Sequence, residues 1–281
     1  MWTRSSFLTG VAAAAAAGPR DGPGPLEAIE RHIGGRLGVF AARSDGAALL
    51  SHRASERFPM ASTFKLALAM AILHAVERRR LSLNARVRYG RGELLDYSPV
   101  TTAHLSLGEM TVAALCAAAL QHSDNTAANL LLTQLGGPAS VTSFLRAIGD
   151  GVTRLDRNEP DVNQATPGDP RDTTTPTAAA RDLLQLARGE VLDPAHTALL
   201  LSWLRGSTTG GTRIRAGVPS SWIVADKTGT HHTGGNDIAL LWRSPTSRPS
   251  VLCVYTTGVT IDSSARDRAI ADIARLSARL I

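Results

Sequence analysis

Lysine is almost missing from this chain. Its 281 residues hold two lysines against 28 arginines. A composition rich in Ala, Arg and Gly explains the scarcity, but not where the survivors sit: Lys65 in MASTFKLA and Lys227 in ADKTGT. Arginine stays protonated in a protein, whereas a buried lysine can lose its proton; an ammonium is also a compact point charge where a guanidinium is a broad fork. A site that needs a neutral amine or a compact cation cannot use arginine. These two positions are therefore candidates for chemistry.

Other scarcities exclude whole classes of function. There are two cysteines, Cys116 in VAALCAAAL and Cys253 in VLCVYT. Both read most simply as buried, unpaired apolar residues, and their spacing does not support a disulfide between them. Aromatic residues make up 4% of the chain, so the core must rest on Ala, Leu, Ile and Val. The net charge is +6, yet only Arg78-Arg79-Arg80 forms a basic run. It follows a helical pattern, where cations suit the C-terminus. Without a basic stripe and interleaved aromatics, no nucleic-acid partner is expected. A mildly positive field favours small anionic substrates. No internal repeat is evident, and no segment after the N-terminus is apolar for long enough to span a bilayer. The start, MWTRSSFLTGVAAAAAAGP, places one cation before an alanine-rich stretch and turn residues. That is the layout of an export signal, too short for a membrane span. TRSSFL partly resembles a twin-arginine signal, with Ser5 in place of the second arginine. Residues 1–25 are thus expected to direct export to the cell envelope or the medium, leaving 26–281 as one catalytic domain.

Along that domain, LEAIERHI reads as an amphipathic helix, and RLGVFAAR and AALLSHR as a β-hairpin across the turn SDG. STFKLALAMAILHAVERRR is apolar nearly all round, which predicts a buried helix. MTVAALCAAALQ, DNTAANLLLTQLG and ASVTSFLRAIG read as three more helices, with Gly136-Gly137 as a C-cap region. TPTAAARDLLQLARG, DPAHTALLLSWLRG and SARDRAIADIARLSARLI also read as helices, and WIVADK, DIALLWR and SVLCVYTT as strands. Residues 153–175 are polar and hold three prolines; so long a loop inside a compact domain is usually functional. Strands at both ends and helices between predict an α+β fold. Its antiparallel sheet lobe (about 26–59 and 206–281) is flanked by helices, and an all-helical lobe (about 60–205) is inserted.

Three short motifs fall on this frame. Ser62 and Lys65 stand three apart at the start of the buried helix, a spacing that puts both on one face. A serine becomes nucleophilic when a neighbouring base takes its proton, and a lysine lowered by burial can be that base. HSDN (122–125) opens the next helix, with Ser123 and Asn125 flanking Asp124; each of these residue types also serves as a simple helix cap. KTGT (227–230) ends a strand, and Gly229 permits close approach of a ligand to the backbone. Any one of the three is weak. Together, in this order, they resemble the serine β-lactamases of class A and, more distantly, the penicillin-binding DD-peptidases, whose signature is S-x-x-K, S-D-N and K-T-G. Both lysines of the chain lie inside that signature.

The resemblance covers the chain after residue 25, and it implies roles. Ser62 would be the nucleophile, with Lys65, Ser123, Lys227 and Glu159 completing the catalytic set. Glu159 and Asn163 in NEPDVNQ resemble the Glu-x-x-x-Asn of the class A Ω-shaped loop, where the carboxylate activates the hydrolytic water. Arg157 and Asp172 would pair to pin that loop, and Glu159-Pro160 is a candidate cis peptide. Tyr97 in YSPV would wall the cleft. Asn125, Thr228, Gly229 and Thr230 would bind substrate. Where many members carry a carboxylate-binding arginine after K-T-G, this chain has Asn236. Arg213 in TRIRAG matches the substitute position, with Arg215 next, and in an extended stretch the two would point the same way. Cys116 matches one end of a disulfide found in many members, but Ala69 stands at the other, so no bridge is expected. His231 and His232 would be exposed strand-end residues tuning substrate fit, since strand neighbours face opposite ways and make a poor zinc pair. No metal or cofactor is implied. The expected activity is hydrolysis of penicillin- or cephalosporin-type β-lactams by a monomer through a serine acyl-enzyme. A DD-peptidase or esterase, or a sensor that stays acylated, is the alternative on the same scaffold.

Overall fold

The computed structural model describes residues 24–281; the expected export signal, apart from its last two residues, lies outside them, and Pro25 already belongs to the first helix. Helix α1 (Pro25–Ile33) leads into the hairpin β1 (Arg36–Ala42) and β2 (Ala48–His52). A short strand β3 (Phe58–Pro59) and one 3-10 turn (Ala61–Thr63) run into α2 (Phe64–Glu77). Then come β4 (Arg86–Arg88), α3 (Pro99–Ala103), β5 (Glu109–Thr111), α4 (Val112–Gln121), α5 (Asn125–Leu135) and α6 (Pro138–Ala147). The polar loop ends at β6 (Thr173–Thr174), followed by α7 (Pro176–Ala187), α8 (Pro194–Arg205) and the single turn α9 (Ile214–Gly217). Strands β7 (Ile223–His231), β8 (Gly234–Trp242) and β9 (Ser250–Thr257) and helix α10 (Ser263–Ala278) complete the chain.

The main sheet has the order β2-β1-β9-β8-β7, and every neighbouring pair is antiparallel. Both faces are covered. α1 and α10 close one side over Ile33, Leu37, Val39, Leu241 and Ile270. The other side packs on the helical lobe around Phe58, Leu68, Ile72, Leu115 and Tyr255. Burial on both faces is why β8 and β9 read as nearly continuous apolar runs instead of alternating. Eleven of the fourteen α2 residues are buried, Lys65 among them. Helices on all sides explain its apolar circumference, and Arg78–Arg80 sit exposed at its C-terminal end. With the sheet order placing β7 at an edge, the K-T-G strand borders the start of α2.

Candidate active site

Ser62 does not lie in the first turn of an α-helix. It occupies the 3-10 turn just before α2, and no side chain caps either element. Side chains three apart eclipse in a 3-10 turn, which brings Lys65 Nζ to 3.0 Å from Ser62 Oγ. The lysine is fully buried, and burial drives its amine below the ordinary lysine range against the opposing pull of Glu159. A buried ammonium is tolerable only when its donors are used. Nζ donates to Asn125 Oδ1 (2.6 Å) and Ser123 O (2.7 Å) and lies 3.0 Å from Glu159 Oε1.

Lys227 supplies the second buried amine. Its Nζ donates to Ser123 Oγ (3.0 Å) and Thr228 O (2.8 Å). Burial first, and then the charge of Lys65, push it down to about 7. Ser123 thus stands between the two lysines. Asp124 does act as a cap, accepting Ala127 N–H, but it also holds Val100 N–H, Thr101 N–H and the Thr101 hydroxyl. The cleft wall bearing Tyr97 is fastened to α5 in this way, together with Asn125 N–H donating to Tyr97 O (3.1 Å). Tyr97 itself is 62% exposed at the rim.

Glu159 enters from the polar loop and is 4% exposed. Its Oε1 accepts from Ser62 Oγ at 3.4 Å, and its Oε2 from Asn163 Nδ2 at 2.5 Å. Asn129 of α5 fixes the loop here through both sides of its amide, donating to Glu159 O (2.8 Å) and accepting Glu159 N–H (2.9 Å). The Glu159-Pro160 bond is cis. Arg157 Nε meets Asp172 Oδ2 at 2.5 Å across the loop's neck.

Ser62, Tyr97, Ser123, Asn125, Asn163, Arg213, Thr228, Gly229 and Thr230, with Thr208 and Thr209, line a cleft of about 510 Å³. Arg213 is 5% exposed and is held by Asp267 Oδ1 at Nε, by the Gly229 and Asn236 carbonyls at Nη1 and by Thr230 Oγ1 at Nη2. The arrangement joins a serine to a depressed lysine and a carboxylate, with a cationic, hydroxyl-lined end suited to an anionic substrate.

The profile of the Beta-lactamase enzyme family matches residues 25–281. The chain belongs to the class A β-lactamase family. It is 46% identical over 256 residues to the carbapenem-hydrolyzing β-lactamase KPC of Klebsiella oxytoca, covering 90% of this chain and 86% of that protein. It is 48% identical over 233 residues to β-lactamase Toho-1 of Escherichia coli, covering 83% and 79%. The solved structure of an ancestral class A β-lactamase superposes with a TM-score of 0.88 at 51% identity, covering 91% of this chain and 98% of that one.

Two expectations need correction in this β-lactamase. His231 is buried, 5% exposed, and its Nε2 lies 3.1 Å from Thr256 O. Burial pushes the imidazole down to about 4, so it is neutral, and it does not line the cleft. It shares the inner face of β7 with Lys227 and Gly229; only His232 is exposed. Arg215 does not point with Arg213, because the stretch coils into α9; Arg215 ion-pairs with the buried Asp226 at 2.6 Å. Gly229 lines the cleft and is also closely packed on its inner side, where a Cβ would lie 2.7 Å from Met60 O. Sequence reasoning missed Asn129, Thr209, whose hydroxyl is 2.6 Å from that of Thr228, and Asp267. It also missed the backbone. Ala61, Tyr97, Ser123 and Asp172 all have positive φ (44°, 57°, 58°, 56°), and such strained non-glycine residues cluster at functional sites. Among the described residues one group of three potential metal ligands exists, Glu77, Asp193 and His196. It sits at the far end of α2 from Ser62 and is accounted for by capping of α8. No helix among the described residues is long and apolar enough to cross a membrane.

Proposed function

We propose that Ser62 opens the lactam ring of penicillins and cephalosporins as an acyl ester, and that Glu159 activates the water which releases it. Ser62 Oγ attacks the lactam carbonyl, and its proton passes to the Lys65–Glu159 pair, both members of which stand within hydrogen-bond reach. The backbone N–H groups of Ser62 and Thr230 receive the developing oxyanion. As the C–N bond breaks, Ser123 Oγ gives its proton to the leaving nitrogen beside Lys227, 3.0 Å away, and is reprotonated through Lys65 Nζ, 3.5 Å away, with the proton that Ser62 gave up, which leaves Glu159 a free carboxylate. Lys227, Thr228, Thr230 and Arg213 hold the substrate carboxylate, Asn125 its side-chain amide, and Tyr97 walls the opening. A water between Glu159 and Asn163 then loses a proton to Glu159 and attacks the ester. Ser62 departs with a proton, and the product is the ring-opened acid. The export reading of residues 1–25 and action as a monomer on diffusing small molecules complete the proposal.

One observation carries the reading. A nearly buried carboxylate, Glu159, meets the nucleophile, the depressed lysine and Asn163 at once. An enzyme that only forms an acyl ester has no use for it; one that must hydrolyse the ester does. Time-resolved intact mass of the mature chain with excess benzylpenicillin, alongside ring opening, tests this. A transient adduct with many turnovers is expected, and Glu159→Ala should accumulate the adduct. A lasting stoichiometric adduct in the parent would place the chain with the penicillin-binding enzymes or sensors instead.

A further inference from the structure

Asn236 of β8 pairs with Gly229 of β7, and cross-strand partners share a face of the sheet. Here that face meets the Ser62 turn. Asn236 is 0% exposed and does not line the cleft, so it does not take over the substrate-binding work of the arginine that many relatives of the resembled family place nearby. Its Nδ2 donates to Pro59 O (2.8 Å) and Met60 O (3.0 Å), and its Oδ1 accepts Thr256 N–H (3.2 Å). The β8–β9 ladder is regular as far as Asp237 and Val254. Beyond that point Thr256 turns its N–H to the Asn236 side chain, while its hydroxyl bonds Gly235 at both N–H and carbonyl. One amide therefore joins β8, β9 and the two residues leading to the nucleophile.

Those two residues end on a strained link. Ala61, between Met60 and Ser62, has φ 44°, a left-handed conformation that costs a side-chain-bearing residue and persists only where its surroundings impose it. Met60 O also accepts Thr63 N–H (3.2 Å) and the Thr63 hydroxyl (2.8 Å). On its other side it abuts Gly229, next to Thr230. The two N–H groups of the oxyanion pocket lie on either side of this contact. We propose that Asn236 is a positioning residue of that pocket: its amide fixes the Pro59 and Met60 carbonyls to the sheet and thereby holds the Ala61 turn and the Ser62 N–H in register with Thr230. A primary amide alone offers two donors and an acceptor in one plane. The inference rests on Ser62 being the acylated nucleophile.

Single-turnover kinetics with benzylpenicillin separate the acylation rate constant from the affinity of the non-covalent complex. Asn236→Ala is expected to slow acylation about 10- to 100-fold, somewhat less than the loss of an oxyanion donor outright, with non-covalent affinity unchanged. Affinity for a boronic acid, which builds a tetrahedral adduct in the same pocket, should fall in step. In Asn236→Asp, the acylation deficit should shrink as pH falls, because the protonated carboxyl regains a donor. Adding Ala61→Gly to Asn236→Ala should recover part of the rate, since glycine adopts the turn without help. Asn236→Ser, which keeps one donor, reads the same quantities if the alanine variant does not fold. Acylation within twofold of the parent in a folded variant, or a rate loss with boronate affinity intact, would overturn the role. Absence of acylation in the parent would instead refute the proposed function.

Discussion

Arg213 uses most of its donors on the protein itself, and this decides what its loss should do. Asp267, two carbonyls and Thr230 hold the guanidinium in place, and in the proposed mechanism the group so held meets the substrate carboxylate and takes no part in bond making. Arg213→Ala should raise KM for carboxylated substrates about 10- to 100-fold, the worth of a charged hydrogen bond, and change kcat little, as removal of uniform binding does. A methyl-esterified substrate should show no such loss; equal losses for acid and ester would refute the assignment. Lys227 leads to a pH prediction. Pushed down to about 7 by burial and by Lys65, it is an ammonium below that pH and increasingly a neutral amine above it. Free-enzyme groups govern kcat/KM, so kcat/KM for carboxylated substrates should decline as pH rises through about 7. In Lys227→Arg that alkaline limb should vanish, because arginine keeps its proton. A limb unchanged in the variant would assign it to another group. Lys227 was legible because its type is scarce and its motif short, whereas Arg213, one of 28 arginines, was legible only through the resemblance. Asn236, Asn129 and Asp267 were not, since nothing in the chain near them says which distant carbonyl, amide or guanidinium they will meet. His231 was misplaced by one step of strand alternation, for the inward face was the one already carrying Lys227 and Gly229.

Among the elements, the loop between α6 and β6 has the least regular structure and the most precise task. Its neck is closed by Asp172, 1% exposed, whose Oδ1 accepts the N–H groups of Asp156 and Arg157 and whose Oδ2 accepts Arg157 Nε. Replacing one partner of a buried ion pair leaves the other charge uncompensated and costs about 3–5 kcal/mol. Asp172→Asn keeps the shape but turns one acceptor into a donor facing Arg157, so the melting temperature should fall. The kinetic consequence should be uneven. Glu159 rides on the loop, whereas Ser62 and Lys65 stand on α2 and its leading turn, so deacylation should slow more than acylation and adduct should build up in a mass time course. Equal slowing of both steps would mean that the loop does not act alone. The polar, proline-rich composition made this loop legible, as the apolar circumference made α2 legible. The left-handed Ala61 turn was not, because alanine carries no signal for positive φ, and the coiling of residues 214–217 was hidden in a stretch that reads equally well as extended chain.

At the scale of the whole molecule, the fold carries buried acids with no catalytic task. Asp182 of α7 is 5% exposed and shares a hydrogen bond with Asp150, whose Oδ1 accepts Val152 and Thr153 N–H. Burial, and then the charge of Asp150, raise the Asp182 carboxyl well above its ordinary value, with Arg181 opposing. The folded state thus retains a proton that the unfolded chain releases above about pH 4. By linkage, this contribution to stability is full below the unfolded pKa and is lost as pH rises through the folded one. An amide at this position ends that loss, because it can donate to Asp150 as the protonated carboxyl does, at any pH. Asp182→Asn should therefore raise the melting temperature by roughly 2–8 °C at pH 8, taking about 1–2 kcal/mol for the proton uptake avoided, at about 1.4 kcal/mol per pKa unit, and about 2–4 °C per kcal/mol at this chain length. The gain should dwindle below about pH 4, where Asp182 is protonated in both states. Other perturbed acids, Asp237 raised by burial and Glu30, Glu56 and Asp169 lowered by arginines, shape the absolute curve. They are common to parent and variant, however, and cancel in the difference between distant sites. Melting curves of the two proteins across pH decide the matter. A gain that does not vary with pH would mean that the acid is uncharged or hydrated throughout, and a loss would mean that its ionised form is held by Arg181.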